Sequence, residues 1–228
     1  MTQISQAIIF AAGHATRMRP LTDNLPKPLL VVRGLPLLTH IIDHLIQEGV
    51  TKIIINGYHA IDKMHDYMTD IRTSYPDIDF VLSVENALLD TGGGAVYALD
   101  HIDINQPIYM INGDAFWENA PNQTTLNALK QTWSTDMDCL LLLEKDVDHN
   151  YNLKNNHAIR TSDNDGNYGF TGIRIFNPKL LKNYDEIKFS FLKIMDDCEG
   201  KKTLYGLEHQ GKWYHISTPE DLNMVNAE

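Results

Sequence analysis

Three cations, Arg17, Arg19 and Lys27, fall within a short stretch of a chain whose formal net charge is −11. The apolar run from Ala7 to Ala12 breaks at Gly13, and the segment that follows, GHATRMRPLTDNLPKPLL, carries all three. Small residues in a turn leave backbone N–H groups unobstructed as donors. Fixed guanidinium and ammonium groups neutralise charge as it shifts in a phosphoryl or nucleotidyl transfer. Pro20, Pro26 and Pro28 restrict the backbone that presents the cations and so lower the entropy lost on ordering it. The segment is neither a Walker A sequence nor a GxGxxG fingerprint, so the case for a phosphate ligand rests on the cations and the small residues.

Asp114 is the complementary group. It follows the apolar run PIYMIN and Gly113. A carboxylate at a strand end is placed to hold Mg²⁺ against phosphate oxygens, since this hard ion takes oxygen ligands and usually one or two carboxylates. The bland reading is a turn or N-cap aspartate. A second ligand would come from another strand end, and His215 in WYHIST is the candidate, although a lone strand histidine is more often structural. Gly92, Gly93 and Gly94 either let a flat base or ribose lie on bare backbone or permit close packing of a helix start. Glu85, ending the preceding strand, either accepts hydrogen bonds from a base edge or faces water.

These residues need a scaffold that gathers strand ends. PLLTHIIDHLIQEGV sets Leu37, Leu38, Ile41, Ile42, Leu45 and Ile46 on one helical face, and Gly49 stops it. TKIIINGY reads as a buried strand, residues 61–75 as an amphipathic helix, DFVLSVE as a strand, LLDTGGGAVYAL as a helix opened by glycines, and PIYMINGDAF as a strand. Strands alternating with helices predict an α/β fold with a mostly parallel central sheet flanked by helices, whose ligands bind beyond the carboxyl ends of the strands. Further on come a helix over residues 125–133, the strand MDCLLLLEKD, and an Asn- and Asp-rich stretch from His149 to Gly169 that forms a lid or a hairpin. YGFTGIRIF is a strand, NPKLLKNY a short helix, FSFLKIMDDC a helix and KWYHIS a strand. Thr218, Pro219 and Asp221 suit the N-cap, first turn and N3 of a last helix.

With 228 residues, 43% of them apolar, and no linker or repeat, the expectation is one domain over residues 1–228. The acidic balance argues against a nucleic-acid or anionic-membrane surface. Cys139 and Cys198 have no metal-type spacing and do not make a disulfide scaffold, which fits a reducing cytoplasm. No apolar run approaches the roughly 18 residues of a membrane span, and no basic region precedes a long apolar segment at the N-terminus.

AAGHATRMRPLT followed by LPKPLL, then DTGGG, NGD and WYHIST, resembles the sugar-1-phosphate nucleotidyltransferases in order and spacing along nearly the whole chain. The short length, LLDTGGG and FTGIRIF look most like N-acetylmuramate 1-phosphate uridylyltransferases and their mannose-1-phosphate guanylyltransferase-like relatives. The resemblance implies a Rossmann-like nucleotide-diphospho-sugar transferase fold. It also implies a metal-dependent in-line attack by a sugar 1-phosphate on an NTP, most simply UTP, that releases pyrophosphate. An N-acetylmuramate acceptor would connect the reaction to cell-wall peptidoglycan recycling. By the same resemblance, Ala12, Gly13, Ala15 and Thr16 cradle the triphosphate, Arg17 binds the leaving pyrophosphate and Lys27 bridges the reacting phosphates. Gly92 and Gly93 line the nucleoside, Asn112 contacts ligand, Asp114 holds metal, and Gly172 and Asn152 face the sugar.

The chain departs from the family pattern twice. Ala15 stands where the family has a second glycine, a change that a negative φ would accept. His215 and Ser217 stand at the aspartate and last glycine of W-x-D-V-G-T, and because imidazole suits Mn²⁺ or another softer ion better than Mg²⁺, the site either prefers such an ion, holds Mg²⁺ through Asp114 and phosphates alone, or is weakened. A rival reading is a weakly catalytic nucleotide- or NDP-sugar-binding protein.

Overall fold

The computed structural model describes residues 3–162 and 165–228. Its strands are β1 (Gln6–Phe10), the short β2 (Val31–Val32) and β3 (Leu35–Pro36), β4 (Lys52–Gly57), β5 (Asp79–Val84), β6 (Ile108–Asn112), β7 (Phe116–Glu118), β8 (Cys139–Lys145), β9 (Tyr151–Lys154), β10 (His157–Arg160), β11 (Tyr168–Phe176), β12 (Leu204–Glu208) and β13 (Lys212–Tyr214). The helices are α1 (Leu37–Gln47), α2 (Ile61–Ser74), α3 (Asp90–Tyr97), α4 (Thr125–Thr132), α5 (Leu192–Gly200) and α6 (Pro219–Ala227). Nine strands form one sheet in the order β5-β4-β1-β6-β11-β8-β12-β10-β9. The first four run parallel, β11 is antiparallel to both β6 and β8, and β12 is parallel to β8.

Every residue of β1 is buried, as a central parallel strand covered on both faces requires. Successive residues serve opposite faces. Ile9, Ile53, Ile55 and Ile111 pack with Ile41 and Ile42 of α1, Met64 and Met68 of α2 and Leu129 of α4. Ile8, Ile54 and Met110 pack with Ala95 of α3 and Ile194, Met195 and Cys198 of α5. Both cysteines are free and buried. The βαβ rhythm of the sequence thus becomes a sheet with a core on each side, and the α/β expectation holds.

The Asn-rich stretch contains a hairpin. Asn155 and Asn156, at φ 50° and 63°, make the left-handed turn between β9 and β10, the conformation that asparagine tolerates best after glycine. Residues 163 and 164 of that stretch lie outside the described residues. β9 also touches β11 at Tyr151 and Tyr168, so the sheet curls back on itself at this end. The bend in β11 lies between Phe170 and Arg174, where its pairing with β8 shifts register around Gly172 at φ +84°.

Arg174 of β11 is buried, 1% exposed, with its guanidinium over the rings of Phe191 at 4.1 Å, Phe10 at 5.2 Å and Phe170 at 5.5 Å. Its Nε and one Nη have no hydrogen-bond partner among the described residues, and burial pushes its pKa down to about 10.

KWYHIS departs from expectation. Its strand stops at Tyr214 and pairs only with β7, in a separate two-stranded ribbon. Tyr214 and Ile216 are buried while His215 is exposed, so the alternation is right although the strand is short. α6 begins on the expected capping box. Thr218 Oγ1 accepts from Asp221 N at 3.2 Å, and Asp221 Oδ2 accepts from Thr218 N at 2.8 Å.

Candidate active site

The site starts where β1 ends. Phe10 is in register with Asn56 of β4 on one side and Asn112 of β6 on the other, so the triplet Ile-Asn-Gly occurs twice, at 55–57 and 111–113, flanking the same residue. Asn56 Oδ1 accepts from Ala11 N at 2.6 Å, which fixes the first residue past the strand. Glu85 holds that asparagine in turn. It accepts from Asn56 Nδ2 at 2.7 Å and from Leu89 N at 3.0 Å. On the other flank Gly113 N donates to Phe10 O at 2.8 Å, and a Cβ at Gly113 would lie 2.7 Å from that same oxygen. Only glycine lets the two strand ends approach so closely.

The loop leaves this root as a tight turn. Ala15 adopts φ +46°, the left-handed region, so the methyl is not accommodated by a negative φ as the sequence suggested. A non-glycine residue there costs about 1–2 kcal/mol. Hydrogen bonds hold it. Ala15 O accepts from Met18 N at 2.9 Å and from Thr22 Oγ1 at 2.9 Å. Thr22 O pairs with His59 Nε2 at 2.7 Å, and the His14 ring sits edge-on to His59 at 5.1 Å, tying the loop to the start of α2.

The loop and strand ends enclose a cavity of about 570 Å³. Ala12, Gly13, Ala15 and Arg17 line it from the loop, and Asn112 and Asp114 from the end of β6. Lys27 enters from a 3-10 turn between Pro26 and Pro28 and is buried, with its Nζ 2.8 Å from Asp114 Oδ2. The side chains are 10% and 48% exposed respectively, so the lysine is fixed and the carboxylate faces solvent. Among the described residues no three His, Cys, Asp or Glu side chains converge as a metal cage. One half-exposed carboxylate nevertheless fits a hard divalent ion that completes its shell with phosphate oxygens and water.

Other expected residues lie elsewhere. Glu85 is 3% exposed, and both its oxygens are occupied by Asn56 and Leu89, so it supports the loop root and does not read a base edge. Burial raises its pKa. Gly92 and Gly93 do not line the cavity: both N–H groups donate to Phe189 O, at 2.9 and 3.1 Å, and a Cβ at Gly92 would come 2.5 Å from the Phe189 ring. Close packing of the helix start is therefore their visible role. Thr16 is exposed at the start of a 3-10 turn, its carbonyl accepting from Arg19 N at 3.4 Å. Asn152 is turned toward the residue that precedes β11, with Oδ1 accepting from Asn167 N at 3.1 Å, and it does not line the cavity. Gly172 stands behind Asn112, where a Cβ would lie 2.9 Å from the asparagine Cβ. His215 is exposed with its ring 5.5 Å from Trp213, and Ser217 rather than His215 lines the cavity.

Sequence reasoning missed Asn56 and Lys188, both of which line the cavity. The repeated Ile-Asn-Gly was a usable signal for Asn56, because a polar residue ending an apolar strand carries the same grammar as NGD. No comparable signal marked Lys188.

Residues 6–150 match the nucleotidyl transferase family. The chain is 32% identical to the N-acetylmuramate alpha-1-phosphate uridylyltransferase of Neisseria meningitidis serogroup B, over 97% of both chains. It is 26% identical to a mannose-1-phosphate guanyltransferase of Hypocrea jecorina, over 95% of this chain and 62% of the relative. The fold is similar to that of a UDP-glucose pyrophosphorylase solved with UDP-glucose, at a TM-score of 0.82 and 14% identity, covering 99% of this chain and 98% of the other. The strand-end geometry, the match over most of the chain and a relative alike along its full length have one conclusion: the chain belongs to the nucleotidyl transferase family and is a nucleotidyltransferase.

Proposed function

We propose that the chain transfers a uridylyl group from UTP to the phosphate of N-acetylmuramate 1-phosphate, giving the UDP-sugar and pyrophosphate. The observation that carries this reading is the buried Lys27 held 2.8 Å from Asp114 beside a loop of small residues. The fixed ammonium stands where charge develops on the transferring phosphate, with no reorganisation needed during the step. Backbone N–H groups at Gly13 and Ala15 donate to the triphosphate, and Arg17 meets the pyrophosphate as it leaves. Asn56 keeps the loop root in place, and Asn112 orients ligand next to Asp114. A divalent ion, Mg²⁺ or Mn²⁺, held by Asp114 and phosphate oxygens would supply charge neutralisation across the phosphates. Because His215 does not line the cavity, we assign the ion to Asp114 without it. The reaction needs no covalent enzyme intermediate, since positioning and charge stabilisation suffice.

The choice of UTP and N-acetylmuramate rests on the Neisseria relative, alike over the full length of both chains. The guanylyl alternative with mannose 1-phosphate is supported by the Hypocrea relative, of which this chain spans 62%. We assign the enzyme to the cytoplasm and to cell-wall recycling, a reading that two free, buried thiols and a peptidoglycan-derived acceptor support. No helix among the described residues is long and apolar enough to cross a membrane.

The test is pyrophosphate release from UTP, GTP, CTP and dTTP, each paired with several sugar 1-phosphates and with Mg²⁺ or Mn²⁺. Fastest turnover is expected with UTP and N-acetylmuramate 1-phosphate. Turnover confined to GTP and mannose 1-phosphate would select the alternative, and nucleotide binding without turnover in any pairing would leave only a binding protein.

A further inference from the structure

A second segment reaches the cavity from far along the chain. Residues 184–191 cross the N-terminus of α3, where Phe189 is fixed by three backbone hydrogen bonds. Its carbonyl accepts from Gly92 N and Gly93 N, and its N–H donates to Leu89 O at 3.2 Å. Phe191 N donates to Thr91 Oγ1 at 3.1 Å, and the Phe189 ring stacks on Tyr184 with centroids 5.6 Å apart. Gly92 and Gly93 are what permit this seat, because side chains there would run into the Phe189 ring and the Ile187 carbonyl. The segment is therefore held to the helix by its backbone, not loosely laid over it.

Lys188 sits beside that anchor and lines the cavity. Its ammonium has no hydrogen-bond or ion-pair partner among the described residues. The neighbouring carboxylate of Glu186 is engaged by Lys193. The cations lining the cavity are Arg17, Lys27 and Lys188, and Lys27 is already paired with Asp114. A free ammonium on an anchored backbone, facing a cavity in a chain of net charge −11, is placed for an anion.

In-line transfer sets the nucleophile and the leaving group on opposite sides of the reacting phosphorus, so a cation on a separate segment is placed to serve the incoming side. Arg17 and Lys27 belong to the segment that follows β1. We infer that Lys188 binds the phosphate of the incoming sugar 1-phosphate, and that Gly92 and Gly93 act in the reaction by seating the segment that carries it. This assignment rests on the proposed transfer to a sugar 1-phosphate. It makes Lys188 a contact to the acceptor, not to the nucleotide.

The experiment compares wild type, Lys188→Ala and Lys188→Arg in two ways. One is the KM for each substrate with the other saturating. The other is calorimetric binding of N-acetylmuramate 1-phosphate to enzyme carrying a non-hydrolysable UTP analogue. Lys188→Ala should raise the sugar-phosphate KM and Kd roughly tenfold to a hundredfold, the size of one lost charge-assisted hydrogen bond. The KM for UTP and the melting temperature should stay at wild-type values, and Lys188→Arg should restore most of the loss. An unchanged sugar-phosphate KM in Lys188→Ala, or a rise in the UTP KM instead, overturns the assignment while leaving the transfer reaction standing. Failure of the wild type to bind or use any sugar 1-phosphate overturns both.

Discussion

The cavity has two walls, and they are fixed by different means. The first is made where β1, β4 and β6 stop together. Parallel register puts Asn56, Phe10 and Asn112 side by side, and the loop beyond Phe10 inherits its position from them. The second is made where a coil segment, residues 184–191, lies across the start of α3, one hundred positions away in the chain by the Phe191–Thr91 hydrogen bond. No strand register aligns that contact. It depends on glycines that leave room and on a handful of backbone hydrogen bonds. Register brings strand ends together in a parallel sheet, here with one close approach at Gly113, whereas a loop laid on a helix needs complementary surface on both partners. The first wall therefore tolerates variation at its surface, and the second does not.

Substitutions can break or sharpen that contrast. The largest effect falls on the first wall's chemistry: Lys27→Ala should cut kcat by about a hundredfold or more in the pyrophosphate-release assay, comparable to losing one transition-state donor. Near-normal turnover would mean that the lysine serves only to neutralise Asp114. Next come paired glycine substitutions, one on each wall. Gly92→Ala must push against the Phe189 ring and carbonyl, and should cost about 1–3 kcal/mol in urea denaturation. Gly13→Ala meets nothing within 4 Å and should leave stability within about 0.5 kcal/mol. Equal losses at the two positions would erase the distinction.

Glu85→Gln tests the root of the first wall. Replacing one acceptor oxygen by an amide NH₂ sets donor against donor at either Asn56 Nδ2 or Leu89 N, and should cost about 1–3 kcal/mol. Burial raises the Glu85 pKa above its unfolded value, so the folded state binds the extra proton and this group's contribution falls as pH rises through the folded pKa. The variant lacks that term. Its deficit relative to wild type should therefore be larger at about pH 5 than at about pH 8, and a deficit independent of pH would contradict the burial assignment. The smallest effect is expected at His215. His215→Ala should leave the preference between Mg²⁺ and Mn²⁺ unchanged, and a shift in that preference would return the imidazole to the metal site.

Much of this was legible in the sequence for the reason that separates the walls. The βαβ rhythm follows from apolar runs and their periods, and once a parallel sheet is granted, Gly13, Asn112 and Asp114 must lie at its ligand edge. Lys27 could be placed because the prolines on either side confine it. Purpose was harder to read than position. A glycine triplet announces that something approaches closely, but not whether it is a nucleoside or Phe189. Glu85 ends a strand next to the site, yet its carboxylate points back toward Asn56, and nothing in the order of residues sets that direction. Ala15 marked an odd position without revealing its left-handed backbone. Lys188 was invisible, because its place depends on how a coil of 184–191 settles on a helix formed much earlier in the chain.

The three rings around Arg174 have a bearing on how the molecule assembles. Phe10 belongs to β1, Phe170 to β11, and Phe191 to the end of the coil that seats on α3. A guanidinium in an apolar core without a carboxylate is costly unless aromatic faces surround it. An arrangement that buries β11 before Phe191 arrives leaves that charge partly bare, so the penalty falls on incomplete assembly more than on the finished fold. One arginine thereby ties the arrival of the distant coil to completion of the core, and the two walls become cooperative with each other while sharing no residue.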